Sequence, residues 1–235
     1  LYGQKMRTHL DNLDQIVGER TASLQQAMEQ LQQEIATRRR VEEELRILAA
    51  FDVLTNVFNR RSFFEASQNQ VAQACQRKEP FAILMFDLDR FKQVNDRYGH
   101  AAGDAVLKHF TTVCKAVVIE ANILGRLGGE EFAMFLPHCD AVDAARIGER
   151  IRIQLSLTPI RYQDQAIFVT VSIGVATIDW QSEEAVDFEI VLEESDRHLY
   201  LAKRRGGNCV INQGMNDGVY WLNQQHENSK VSITA

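Results

Sequence analysis

The sequence predicts an α/β fold, a central mixed β-sheet flanked by helices and preceded by one long helix. Two continuous apolar runs, "FAILMF" (81–86) and "FVTVSIGVAT" (168–177), have the length and composition of buried strands. Helical periodicities lie between them, and "NILGRL" and "EFAMFL" flank Gly128-Gly129 in the manner of a hairpin. Helices interleaved with strands and one hairpin suit a sandwich built on a mixed sheet. Residues 1–50 contain no proline and repeat apolar residues at helical spacing, which sets them apart from the rest of the chain.

Taken in chain order, Leu24, Met28, Leu31 and Ile35 recur at steps of four, three and four, a heptad seam that Leu10 and Val17 extend backwards. Val41, Leu45 and Leu48 form a shifted seam, which reads as a stutter. So thin a stripe cannot be buried within one helix, so a parallel coiled-coil dimer over 1–50 is expected; a solvated helix packed on its own domain is the alternative. Ser62-Phe63-Phe64-Glu65 has the pattern of a capping box and is expected to start a helix. Val106, Phe110, Val113 and Val117 mark another helix, and "AVDAARIGERIRIQL" a third. The last helix is expected to end near Lys203, with Gly206-Gly207 as its stop. The expected organisation is a helix over 1–50, one α/β domain over 51–212 and a polar tail over 213–235. The tail has "VYWL" (219–222) as its one apolar cluster and is expected to be mobile or loosely docked.

Composition narrows the functional classes. The chain has 235 residues, 45% hydrophobic and 25% charged, with a net charge of −6. The acidic balance argues against nucleic-acid binding, which needs a basic footprint. Cys75, Cys114, Cys139 and Cys209 are scattered with no C-x-x-C pair, so neither a zinc site nor a disulfide framework is expected. A reducing cytoplasm is the simplest compartment. No apolar run approaches the ~18 residues of a membrane span, so no membrane contact by this fragment is expected. The chain begins at Leu1 rather than a methionine, and is read as a fragment with a sensor module expected upstream.

Two segments carry chemistry. Asp87 and Asp89 lie where the first buried strand should end, two residues apart and so on one side. A buried carboxylate is costly unless it is paired or binds a metal, and hard oxygen ligands suit magnesium. On spacing alone they are equally two surface aspartates at a strand end. In "GRLGGEEFAMF" (125–135), the glycines permit positive φ and leave no side chain in the way of a close ligand. A phosphate could then approach the tip beside Glu130 and Glu131, although an exposed hairpin explains the same residues.

"LGGEEF" resembles the signature of the GGDEF domains, the bacterial diguanylate cyclases, in its GGEEF form. "DVLTNVFNRRSFF" (52–64), "FDLDRFKQVNDRYGHAAGD" (86–104), "VSIGVA" (171–176) and "SDRHLYLAKRRGGN" (195–208) resemble other segments of that family, in the family's order. The resemblance implies a fold like the palm of adenylyl cyclases and polymerases. It also implies that two GTP condense to cyclic di-GMP and two pyrophosphates across a homodimer. By position, Asp87, the Leu88 carbonyl and Glu130 match ligands of magnesium, with manganese as the substitute. Glu131 matches a general base or electrostatic helper. Asn95 and Asp104 match the pair that reads guanine, and Lys92 and Lys203 match phosphate contacts. Leu54, Arg60, Phe91, His100, Gly128 and Gly129 match the lining or supports of the GTP pocket. From the residues alone, Leu54 and Phe91 could be core, His100 a loop-ordering side chain, Lys92 a solvated charge and Asp104 a helix cap.

Three departures stand out. Asn56 replaces the family's usual glycine, and asparagine tolerates the left-handed region. Gly207 replaces an arginine, which removes an expected triphosphate contact and leaves Lys203, Arg204 or Arg205 to compensate. Ile119 and Asn122 replace the arginine and aspartate of the family's inhibitory product site, so no tight product inhibition is expected there. A catalytically silent GTP-binding or interaction module is the alternative function; such modules usually lose a metal carboxylate or the glycines, which are all present here.

Overall fold

The computed structural model of the chain describes residues 18, 20–21, 23–26, 28–41, 43, 49–117, 121–178 and 187–212. The chain divides into two units, 1–49 and 50–235. In the first, the described residues between 18 and 43 are all helical and form α1. Leu24, Met28, Leu31, Ile35 and Val41 are exposed along it, and Arg38 pairs with Glu34 one turn away at 2.8 Å. Leu10, Val17, Leu45 and Leu48 of the expected seam lie outside the described residues, as does the tail over 213–235.

The second unit runs β1 (Phe58–Asn59), α2 (Arg60–Arg77), β2 (Phe81–Leu88), α3 (Phe91–Tyr98), α4 (His100–Val117), β3 (Ile123–Gly128), β4 (Glu131–Pro137), α5 (Ala141–Leu157), β5 (Ile160–Tyr162), β6 (Gln165–Ile167), β7 (Val171–Ile178), α6 (Phe188–Arg204) and β8 (Val210–Asn212). Six strands form one sheet in the order β1-β3-β4-β2-β7-β8. The four inner strands are antiparallel neighbours, while β1 joins β3 and β8 joins β7 in parallel, so the sheet is mixed as expected. β5 and β6 form a separate hairpin.

Because side chains alternate along a strand, β2 feeds two cores. Ala82, Leu84, Phe86 and Leu88 pack with Val106, Phe110 and Ile151 from α4 and α5. Phe81, Ile83 and Met85 pack on the other face with Phe63, Val71, Phe188 and Leu199 from α2 and α6. Burial on both faces is why the run reads as continuously apolar. Asp87 continues the odd-numbered series and so points to the α2–α6 side. α6 lies tight on β7: a Cβ at Gly174 would fall 2.0 Å from the Ser195 carbonyl oxygen and 2.2 Å from the Leu199 nitrogen. Buried His198 lies with Nδ1 2.7 Å from the Val175 carbonyl oxygen, so this helix is held at its middle as well.

Two expected boundaries are corrected. α2 begins at Arg60, and its cap is Asn59, whose side chain accepts the Ser62 N–H at 3.0 Å. Ser62 therefore sits inside the first turn, and Glu65 reaches Arg61 at 2.8 Å instead of closing a capping box. The second long strand begins at Val171 rather than at residue 168. Phe168 is 66% exposed, in the link from β6.

Candidate active site

The carboxylates gather where β2 ends and β4 begins. Register places Asp87 opposite Glu131 on one side and opposite Ser172 on the other. The Leu88 N–H approaches the Glu130 carbonyl oxygen at 3.4 Å, so the Gly128–Glu130 turn folds beside the end of β2. Gly129 has φ +47°, and a Cβ at Gly128 or Gly129 would meet nothing within 4 Å. No protein neighbour demands glycine at 128; the bare tip leaves approach room for a ligand.

The turn is held from beneath. β3 and β4 shift register between Arg126 and Gly128. The Arg126 guanidinium donates to the Gly129 carbonyl at 3.0 and 2.8 Å, and to the two carboxylate oxygens of Asp52 at 3.1 and 3.2 Å. Asp52 also accepts the Thr55 N–H at 2.9 Å. Burial alone would raise the Asp52 pKa, but the bonds from Thr55 and Arg126 outweigh it and hold the carboxyl below its ordinary value. No sequence motif points to this clamp. Its signal is the single charge in "NILGRL".

Electrostatics at the site are lopsided. Burial, then the charges of Asp87, Asp196 and Glu130, push the Glu131 carboxyl above the ordinary range, and Arg60 opposes them only in part. Lys203 from α6 donates to Asp87 at 2.5 Å and to Asp89 at 3.0 Å. Burial works against its charge, but these two carboxylates raise its pKa above that of a free lysine. Asp89 also accepts from Thr170, Ser172 and the Asn208 N–H. Burial raises the Asp89 pKa, and its hydrogen bonds and Lys203 more than reverse this.

The donor chemistry at this end of the sheet suits a hard divalent cation. Among the described residues, no group of three or more His, Cys, Asp or Glu is arranged to hold a metal ion. The expected set of Asp87, Glu130 and the Leu88 carbonyl is sparser, and its donors are hard oxygens of the type that suits magnesium, which completes its shell with water and substrate phosphate. Burial comes first in raising Glu131, and the charges of Asp87, Asp196 and Glu130 add to it; a cation at this end of the sheet would offset those charges.

The other expected site residues lie mainly on the α3–α4 corner, which turns at Gly99 with φ +84°. Half-buried Asn95 rests on Gly103, where a Cβ would fall 2.0 Å from its Oδ1 and 3.1 Å from the Phe91 ring. Phe91 is buried beneath it, while Lys92, His100 and Asp104 are exposed. Asp104 lies inside α4, which begins at His100, so it is not a cap. Leu54 packs partly buried against the core. Arg60 is exposed, its guanidinium 5.7 Å from the Phe64 ring centroid. Asn56 takes φ +51°, the left-handed conformation its side chain tolerates. Ile119 lies outside the described residues. Asn122 lines a cavity of about 340 Å³ with His138, Arg146 and Arg150, and Arg146 is paired with Asp143.

The sequence profile described as "Diguanylate cyclase, GGDEF domain" matches residues 49–209. The chain is 40% identical over 164 residues to the uncharacterized protein YhcK of Bacillus subtilis, covering 69% of this chain and 45% of that one. It is 36% identical to diguanylate cyclase A of Treponema denticola, over 68% of this chain and 43% of that protein. The chain thus spans less than half of these two relatives. Its fold is similar to the crystal structure of the coiled coil and GGDEF domain of DgcB from Caulobacter crescentus in complex with c-di-GMP. The TM-score is 0.75 at 29% identity, over 81% of this chain and 100% of that one.

Proposed function

The chain belongs to the GGDEF family of diguanylate cyclases, and we propose that it condenses two GTP into cyclic di-GMP, releasing two pyrophosphates, as a homodimer in which each domain holds one GTP. The observation that carries this reading is the strand register. It sets Asp87 opposite Glu131, with the bare Gly128–Glu130 turn beside them. Such an end of a sheet offers carboxylates for a cation and open room for phosphate.

Asp87, Glu130 and the Leu88 carbonyl would hold magnesium, or manganese in its place. When bound, that ion neutralises phosphate charge and acidifies the attacking 3′-hydroxyl. Glu131, opposite Asp87 in the strand register, is the candidate general base or electrostatic helper for that hydroxyl. Lys203 and Lys92 meet the phosphates, and the hydroxyl attacks the α-phosphate of the GTP held by the partner domain. Asn95 and Asp104 supply the donors and acceptors that guanine's edge requires. Leu54, Arg60, Phe91 and His100 line or support the pocket. The exposed apolar stripe of α1 supports a parallel coiled coil through which an upstream sensor acts. With Asn122 uncharged, the 119–122 segment gives no tight product inhibition.

Glu130→Gln tests the metal assignment, because it keeps the shape and removes a charge. Turnover is expected to fall at least ~100-fold with the fold retained, since preorganised electrostatics carries phosphoryl transfer. Near-normal turnover by a folded Glu130→Gln chain would overturn the assignment.

A further inference from the structure

Asp89 follows Asp87 by two residues, yet its surroundings are of another kind. Its side chain is 11% exposed. Oδ1 accepts from Ser172 Oγ at 2.7 Å and from Lys203 Nζ at 3.0 Å. Oδ2 accepts from Thr170 Oγ1 at 2.7 Å and from the Asn208 N–H at 2.8 Å. The Asp89 N–H donates to the Thr170 carbonyl at 2.8 Å. A carboxylate offers about four lone-pair sites, and here all are taken by protein donors. Asp89 is therefore not a metal ligand in waiting.

The donors arrive from β7 and its approach, from the end of α6 and from the turn beyond it. That turn is shaped to reach the carboxylate. Gly206, Gly207 and Asn208 take φ +104°, +81° and +50° in succession. A Cβ at Gly207 would lie 2.7 Å from Asp89 Oδ1 and 2.9 Å from Cγ. Any side chain at 207 thus meets both a strained φ and the carboxylate itself. An arginine at 207 would require this turn or the Asp89 carboxylate to shift.

We propose that Asp89 is a positioning residue for the reaction: by clamping the turn between α6 and β8 to the end of β2, it fixes the Lys203 ammonium where substrate phosphate is met. The proposal rests on the reading of Lys203 as a phosphate contact. An ammonium has three donors; two are directed at Asp87 and Asp89, and the third is free for phosphate. Asp87, the carboxylate expected to bind metal, lies 2.5 Å from Lys203 Nζ and Asp89 lies 3.0 Å from it, so Asp89 is the support for Lys203 that has no expected part in the metal shell.

The test is a double-mutant cycle on the full chain with Asp89→Asn, Lys203→Met and the double variant. Calorimetry measures the binding of α,β-methylene GTP, which cannot react, and steady-state rates give KM and kcat for GTP. Each single change is expected to weaken analogue binding on the order of tenfold, the scale of losing one charge-assisted contact. The double variant is expected to bind within about twofold of Lys203→Met alone, because the second change removes a support with nothing left to hold. KM should rise in parallel. If Asp89→Asn and Lys203→Met multiply, or if Asp89→Asn binds the analogue as the parent does, Asp89 does not act through Lys203 and the proposal falls. If Lys203→Met itself binds like the parent, the reading of Lys203 fails, and the proposal with it. Thr170→Val, which removes one hydroxyl donor and keeps both charged partners, covers the case where Asp89→Asn folds poorly. It should show a smaller loss in the same direction, absent in the Lys203→Met background; a loss that persists there overturns the proposal.

Discussion

At the scale of the residue, chemistry depends on which donors reach a group. Asp87 and Asp89 are visible as a pair from their spacing, but their different surroundings are not. The groups that fill Asp89 come from Thr170, Ser172, Lys203 and Asn208, which lie 81, 83, 114 and 119 positions away. His109 shows the reverse case. It sits on α4 with its Nε2 buried and without a hydrogen-bond partner. Burial, opposed in part by a hydrogen bond with the Thr158 backbone, holds its pKa below the ordinary 6.5. A depressed folded pKa means that the unfolded chain takes up the proton first as pH falls through that ordinary value. Stability from neutral His109 is thus complete above it and is lost as pH falls toward the folded pKa. The melting temperature of the parent should drop more between about pH 7.5 and 5.5 than that of His109→Gln, which cannot titrate. Equal drops in the two proteins would show that His109 is not the source.

At the scale of the element, the strands that carry the site are legible in the sequence and the short ones are not. β2 and β7 read directly from apolar composition, and the β3–β4 hairpin from the glycines between alternating runs. β1, β5, β6 and β8 have two or three residues each, too few for a period to show. The start of α2 is misplaced by sequence because Ser62 and Glu65 mimic a capping box, whereas Asn59 reaches the same N–H from outside the helix. The clamp under the signature turn escapes for a related reason: Arg126 and Asp52 are 74 positions apart. Arg126→Ala removes both of its attachments and frees the Gly129 carbonyl. Turnover should fall on the order of tenfold, because a loosened turn no longer presents Glu130 and Glu131 in one place, while the buried sheet survives. Circular dichroism and the melting temperature check the fold, and initial rates check the loss. Full activity in Arg126→Ala would show that the turn holds its shape without the clamp.

At the scale of the whole molecule, one domain offers one set of carboxylates, and a reaction between two GTP needs two domains facing each other. In the proposed homodimer the apolar stripe of α1 would supply the means of pairing, since Leu24, Met28, Leu31 and Ile35 lie exposed along one helix. Removing residues 1–45 should lower specific activity and make it depend steeply on protein concentration, because the weakened dimer then dissociates at assay concentrations. A truncated chain whose specific activity is high and unchanged on dilution would show that α1 is not the dimeriser. The central claim, that this chain joins two GTP, is tested most directly by incubating the purified chain with GTP and magnesium and quantifying products by chromatography. Cyclic di-GMP and pyrophosphate are expected in a one-to-two ratio, lost together in Glu130→Gln. Folded protein that binds GTP and yields no cyclic dinucleotide would contradict the claim, and would make the chain a nucleotide-binding module instead.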